Sequence, residues 1–146
     1  MAEKKPQTYA NHAKLVPMYH YVAGLIVITN LGVALYQAAT NFSLSSAFHA
    51  LVAFAFVVVA LFARVFALGA QDRVIRLEER MRMQEVLPDD LKSRIDDITT
   101  PQLIALRFAP DEELADLTRK ALDGELADQK AIKQAITTWR PDYQRL

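Results

Sequence analysis

Two long apolar segments dominate the first half of the chain. They occupy residues 18–39 and 47–63, and neither contains Asp, Glu, Lys or Arg over its 22 or 17 positions. As a helix the first covers roughly 33 Å, which matches a hydrocarbon core about 30 Å thick. In the second segment the helical pattern continues past residue 63 to residue 69, so a tilted helix is long enough to cross the hydrocarbon core. The pattern predicts an antiparallel transmembrane hairpin over residues 18–69, with helices at about 18–40 and 47–69.

Beyond residue 69 the chain becomes charged but keeps a helical pattern. Ala70, Val74, Leu77 and Met81 recur at intervals of four and three residues, which places them on one face of a helix. The second membrane helix is therefore expected to continue as a charged extension over residues 70–87. The stripe covers less than three heptads, so packing against the protein's own tail is favoured over a two-stranded coiled coil.

The remaining residues, 88–146, are expected to form a small bundle of short helices. Thr100 is a candidate cap, Asp128 a candidate start, and Gly124 a candidate end of the clearest helix, which covers residues 111–122. No segment alternates as a strand would. The predicted fold class is all-α: a two-helix hairpin, an extended second helix and a helical cytoplasmic domain, preceded by an interfacial N-terminal segment over residues 1–17.

The distribution of basic residues predicts the orientation of the hairpin. Lys and Arg precede the first helix and follow the second, whereas the link between the helices contains none. By the positive-inside rule both termini should be cytoplasmic. The basic residues concerned are Lys4, Lys5, Lys14, Arg64, Arg73, Arg76, Arg80 and Arg82.

Charge and composition exclude several classes of function. Residues 1–69 carry a formal charge of plus three and the rest minus three, and a mildly acidic soluble part is unsuited to binding nucleic acid. The chain has no cysteine, which removes disulfides and thiolate chemistry. His20 and His49 fall at opposite ends of the hairpin and cannot share one haem, and no glycine-rich phosphate loop is present. We predict no catalytic, cofactor-binding or metal-binding residues.

Small and polar residues in the two apolar segments are the candidates for helix packing, because lipid gives no hydrophobic drive for two helices to associate. Asn30 lies near the middle of the first crossing and needs a polar partner, either within the hairpin or on another subunit. Arg64 lies on the same stripe as the alanines, near the cytoplasmic interface, where it can reach the lipid phosphates. The predicted packing residues are Gly24, Asn30, Gly32, Ala53, Ala60 and Arg64.

Aromatic residues are the candidates for the core or contact surface of the tail. Trp139 is predicted to end the last helix just before Pro141 and to cover one end of a core built from the apolar faces of the short helices. Phe108 and Tyr143 are the other candidates, as core or contact residues. A domain of this size buries little surface, so a large aromatic side chain matters to its stability.

Several motifs together resemble a family of small bacterial inner-membrane proteins of unknown function. They are Pro6-Gln-Thr-Tyr-Ala-Asn-His12, Pro17-Met-Tyr-His20, Ile98-Thr-Thr-Pro-Gln-Leu-Ile-Ala-Leu-Arg-Phe108 and Ile132-Lys-Gln-Ala-Ile-Thr-Thr-Trp-Arg-Pro-Asp-Tyr143. The resemblance implies a bacterial protein with two membrane helices and a helical cytoplasmic tail. It implies no catalytic residue and no cofactor.

Two hypotheses about function follow. The first is a non-enzymatic, two-pass inner-membrane protein that anchors a helical cytosolic interaction module, as an accessory subunit of a larger complex or as a self-associating scaffold. The second is a component of a membrane transporter or membrane enzyme that uses His20, Asn30 and Arg64. That alternative needs a polar cavity of substrate size, which two helices can form only by oligomerising.

Overall fold

The fold is all-helical over the part of the chain that the computed structural model describes, residues 6–12 and 15–143. The elements in order are a π-helical stretch at Met18–Ala23, α1 at Gly24–Thr40, α2 at Leu44–Val86, α3 at Asp89–Lys92, a 3₁₀ turn at Ile95–Asp97, α4 at Thr100–Leu106, α5 at Asp111–Leu122 and α6 at Gln129–Ala135. These elements form two compact units whose boundary falls inside α2. We call residues 15–68 the hairpin unit, and residues 6–12 with 69–143 the helical module.

In the hairpin unit, α1 and the first part of α2 are joined by a tight polar turn. The hydroxyl of Ser43 accepts a hydrogen bond from the Ser46 backbone N–H at 3.0 Å, and the Ser46 hydroxyl accepts one from the Ser43 N–H at 2.9 Å. This reciprocal pair satisfies N–H groups that the first turn of a helix leaves free. Both helices are long and apolar enough to cross a membrane, and few of their residues are buried.

The helical module has a single hydrophobic core to which every one of its helices contributes. The large side chains of the core that are fully buried include those of Met83, Leu103, Leu106, Phe108, Leu114 and Ile132. Since α2 continues to Val86 without a break, its last turns supply one wall of this core. The charged extension is therefore part of one long helix and of the folded module at once.

Local signals in the sequence define the ends of the short helices. Asp128 caps α6 by accepting a hydrogen bond from the Ala131 N–H at 2.7 Å. Gly124 follows α5 with a positive φ of 82°, a conformation that glycine adopts without strain. The cap of α4 is Thr99, one residue before the predicted Thr100, and its reciprocal bonds with Gln102 form a capping box.

Two predictions about the module differ from the structure. The stripe that contains Val74, Leu77 and Met81 does not pack on the tail. The buried face of α2 instead carries Ile75, Glu79 and Met83; Met83 packs in the core, as does Leu87 directly after the helix. The apolar residues of both faces recur at helical spacing, so periodicity alone does not tell them apart.

The last helix ends at Ala135 and not at the predicted Trp139. The backbone N–H groups of Thr137 and Thr138 each donate a hydrogen bond of 2.9 Å to the carboxylate of Glu113 on α5. This anchor replaces further helical hydrogen bonds, and the chain continues as an extended segment that packs along the module.

Candidate functional site

A network of hydrogen bonds lies where α2 meets the C-terminal segment, residues 136–143. Glu79 of α2 is only 6 % exposed, and its two carboxylate oxygens accept hydrogen bonds from Arg82 at 3.0 Å and from Arg140 at 3.2 Å. Arg82 also donates to the Asp111 carboxylate at 2.9 Å and to the Ala109 carbonyl at 2.8 Å. A buried carboxylate is stable only when it is paired in this way. The network therefore joins α2, the start of α5 and the C-terminal segment.

A buried cation lies at the end of α4. Arg107 is 6 % exposed, its Nε atom lies 3.3 Å from a carboxylate oxygen of Asp142, and its guanidinium lies over the ring of Phe108 at 4.5 Å. The backbone N–H of Arg140 donates to the Phe108 carbonyl at 2.8 Å. These contacts hold the C-terminal segment against the end of α4.

The N-terminal segment, residues 6–12, packs against the C-terminal segment and Phe108. The side chain of Gln7 donates to the backbone carbonyl of Asp142 at 2.9 Å and accepts from its backbone N–H at 2.7 Å. The ring of His12 lies 5.8 Å from that of Phe108 and 5.6 Å from that of Trp139. Three of the segments that carry the family resemblance, residues 6–12, 98–108 and 132–143, thus meet in one cluster.

A cavity of about 740 Å³ opens beside this cluster. One wall carries Glu78, Glu79 and Glu85 of α2, and the other carries Arg107, Arg140 and Asp142. Glu79 binds Arg140 across the cavity, and Arg107 binds Asp142 within the second wall. The arrangement neutralises the buried charges and ties the walls together.

Away from this cluster, two exposed ion pairs link or support the helices and shift the pKa values of their members. The hydrogen bond from Arg119 on α5 lowers the pKa of the Asp90 carboxyl on α3 below its usual 3.8. The hydrogen bond to Asp116 raises the pKa of Lys120 above its usual 10.5.

The predicted core or contact residues of the tail occupy different environments. Phe108 is fully buried at the centre of the core, and Trp139 is half-buried against it, with the two ring centroids 4.8 Å apart. Tyr143 is exposed and lines the cavity. Sequence reasoning missed the buried charges Glu79 and Arg107. The signal for Glu79 was its position four residues from both Ile75 and Met83.

The predicted packing residues of the hairpin unit also divide into two groups. Ala53 is 2 % exposed, and Gly24, Ala60 and Arg64 are half-buried on the covered side of their helices. Asn30 and Gly32 lie on the exposed face of α1, and a Cβ built at Gly32 meets no atom within 4 Å.

The covered face of α1 follows a seven-residue repeat through Gly24, Leu31 and Ala38 and includes the buried Ala34. Eight residues advance about 80° further around the helix than two full turns, which moves Gly32 off this face. At the start of the unit, the hydroxyl of Tyr19 donates to the carbonyl of Ala60 and links the π-helical stretch to α2.

The sequence model of a family described as "Family of unknown function (DUF6526)" matches residues 1–146. No curated protein and no solved structure matches the chain.

Proposed function

The chain belongs to the family of unknown function DUF6526, and from its own residues we propose that it is a non-enzymatic integral membrane protein of the bacterial inner membrane. In this proposal the hairpin unit crosses the bilayer twice. It anchors the helical module in the cytoplasm, where the module binds protein, either as the accessory subunit of a larger complex or as a self-associating scaffold.

The observation that carries the proposal is the exposed apolar surface of the hairpin unit. Large apolar side chains project outward along both helices, among them Leu25, Ile28, Leu51 and Phe66, each at least 60 % exposed. Soluble proteins rarely expose a contiguous apolar patch of more than a few hundred Å². The hydrocarbon of a bilayer is the solvent that suits such a surface, and helices are the spanning structure that satisfies all backbone groups internally.

The packing of the N-terminal segment supports the number of crossings. Residues 6–12 and residues 69–143 belong to the same compact unit, so both must lie on the same side of a membrane. An even number of crossings between them meets this requirement, and the two helices supply it. The basic residues beside the crossings favour the cytoplasmic side; of these, Lys4, Lys5 and Lys14 lie outside the described residues.

The exposure of Asn30 supports a role in protein contact. Its amide lies near the middle of α1 on the face that the second helix does not cover. An amide in hydrocarbon is costly unless it finds a hydrogen-bonding partner, and membrane helices use such residues to bind one another. A neighbouring membrane helix, from another subunit or a second copy, would supply that partner.

Topology mapping tests the membrane anchor directly, because the chain has no native cysteine. Single-cysteine variants Ser45→Cys, in the link, and Ser93→Cys, in the module, are treated in whole cells with a thiol reagent that does not cross membranes. We expect labelling at residue 45 in intact cells and at residue 93 only after permeabilisation. Labelling of residue 93 but not of residue 45 in intact cells would contradict the orientation. Equal labelling of the two residues in intact cells would contradict a two-pass anchor.

Partner capture tests the second part of the proposal. Extraction from native membranes in mild detergent, followed by cross-linking and mass spectrometry, should recover a stoichiometric complex that contains either another membrane protein or a second copy of the chain. An Asn30→Leu variant, which keeps the span apolar, should lose part of that complex. Recovery of a monomer in both cases would contradict the proposal.

A further inference from the structure

The outward face of α2 in the helical module carries an apolar stripe. Val74, Leu77 and Met81 are 54 %, 62 % and 61 % exposed, and Ala70 continues the stripe by one turn. At about 100° per residue the stripe lies opposite the buried face that contains Ile75. Apolar side chains of this size on a charged helix are unusual unless another helix covers them.

The stripe has the spacing of a coiled-coil seam. With Val74 and Met81 at the a positions of two successive heptads, Ala70 and Leu77 occupy the d positions. The buried Glu79 then falls at position f, which in a coiled coil faces away from the partner. The helix can therefore engage a partner through a and d while its other side remains packed in the module.

The charges beside the stripe identify the occupant. The g positions are basic, with Arg73 and Arg80, and the e positions are acidic, with Glu78 and Glu85. In a parallel pair, a g residue meets the e residue five positions later on the partner helix, so two copies of this chain bring Arg73 to Glu78 and Arg80 to Glu85. In an antiparallel pair g meets g and e meets e, which places like charges together.

We propose that two copies of the chain associate in parallel through the stripe formed by Ala70, Val74, Leu77 and Met81. This inference rests on the proposed function, because a bilayer holds two copies in parallel orientation. Fewer than three heptads associate weakly when free in solution, whereas confinement to one membrane raises their effective concentration. Arg73 supplies the main charged contact, since Arg80 already binds Asp96 at 3.0 Å.

Cysteine cross-linking of the full chain in membrane vesicles tests the pairing. In a parallel pair the two copies of residue 77 face each other across the seam, so Leu77→Cys should give a disulfide-linked species of twice the chain mass on oxidation. Arg76→Cys is the matched control, since it is exposed on the same helix but points away from the seam. We expect the cross-linked fraction at residue 77 to exceed the control at least about fivefold.

Charge reversal tests the proposed partner and direction. In the Leu77→Cys background, Arg73→Glu and Glu78→Arg should each reduce the cross-linked fraction about fivefold, because each single change places like charges together in both symmetric contacts. The double variant Arg73→Glu/Glu78→Arg should restore it. Unchanged emission from Trp139 shows in each variant that the module remains folded.

Equal cross-linking at residues 76 and 77, no rescue by the double variant, or an adduct of another mass would each overturn the pairing of two copies. An alkaline wash of the same vesicles reads the membrane anchor separately, because an integral protein stays in the pellet. Release into the supernatant would refute the anchor. The cross-linked fractions at residues 77 and 76 are compared in whichever of the two samples holds the protein. A higher fraction at residue 77 supports the pairing, and equal fractions refute it.

Discussion

The hairpin unit and the helical module use large apolar side chains in opposite ways. Phe66 in the hairpin unit is 68 % exposed, whereas Phe108 in the module is fully buried. The module encloses its apolar residues and surrounds them with paired charges, while the hairpin unit buries two alanines, Ala34 and Ala53, and turns its large residues outward. The comparison teaches that the same residue types form a core in one unit and an exposed surface in the other, and under the proposed function that exposed surface is the one that faces lipid.

The largest expected effect is the loss of the module core. Phe108→Ala should destabilise the module by about 3–5 kcal/mol, because it removes a fully buried ring and leaves a cavity. Trp139 is the only tryptophan of the chain and its ring centroid lies 4.8 Å from that of Phe108. A red shift of its emission and a lower melting temperature by circular dichroism in detergent should report the change.

The matched control for this experiment lies in the hairpin unit. Phe66→Ala removes the same ring from an exposed position, so it should leave the emission of Trp139 and the melting of the module unchanged. Equal losses for the two variants would show that the hairpin unit is packed like a core, and the contrast between the units would fail.

A new charge should oppose membrane insertion when it is placed on the apolar surface of the hairpin unit, and should leave insertion unchanged when it is placed on the apolar stripe of the module. Ile28 is exposed in the middle of α1, and Ile28→Asp should disfavour membrane insertion by about 3–4 kcal/mol. Leu77 is equally exposed but belongs to the module, so Leu77→Asp should insert normally. The fraction of protein retained in membranes after an alkaline wash measures both. Full retention of Ile28→Asp would argue that α1 does not face lipid.

A smaller effect is expected where the two hairpin helices touch. Ala53 is 2 % exposed, so Ala53→Leu should overpack the contact and cost about 1–3 kcal/mol. Gly32→Leu adds a larger side chain on the exposed face, where a Cβ meets no atom within 4 Å, and should be nearly neutral. Thermal melts in the same detergent compare the two variants. A larger loss of stability for Gly32→Leu than for Ala53→Leu would place Gly32 in the contact.

The smallest effect is the pH response of the Asp90–Arg119 ion pair in the module. Arg119 lowers the pKa of Asp90, so the stabilisation is complete well above the usual pKa of 3.8 and is lost as the pH falls through the lower value of the folded state. Asp90→Asn should therefore lower the stability slightly at neutral pH and leave it unchanged under strongly acidic conditions. Melts across this range compare the two proteins, and a difference that grows toward acid pH would contradict the sign.

Much of the fold follows from local patterns. The all-helical class is confirmed, α5 has the predicted bounds Asp111–Leu122, and Gly124 ends it as expected. Membership of a family of unknown function is confirmed as well. These features depend on caps, turn residues and periodicity, which act over a few residues and are visible in the sequence.

The candidate site was much less predictable. The sequence identified Phe108 and Trp139 but gave no reason to join them to His12, which lies more than ninety residues earlier. Glu78 and Glu79 both lie at a spacing from which they can reach Arg82, four and three residues away, and the structure pairs Arg82 with the buried Glu79. Contacts between distant segments depend on which faces pack, and spacing along one helix does not decide this.

The sequence by itself determined the length and apolarity of the two long helices, the bounds of α5 and the glycine that follows it, and the absence of cysteine. Only the tertiary structure decided which face of α2 enters the core. Ile75, Met83 and Leu87 on one side and Val74, Leu77 and Met81 on the other are apolar at helical spacing. The first set is buried on the face that also carries Glu79, whose carboxylate binds Arg82 three residues further along α2 and Arg140 from a remote part of the chain. Such complementarity between remote groups is a property of the packed chain, since no local pattern encodes it.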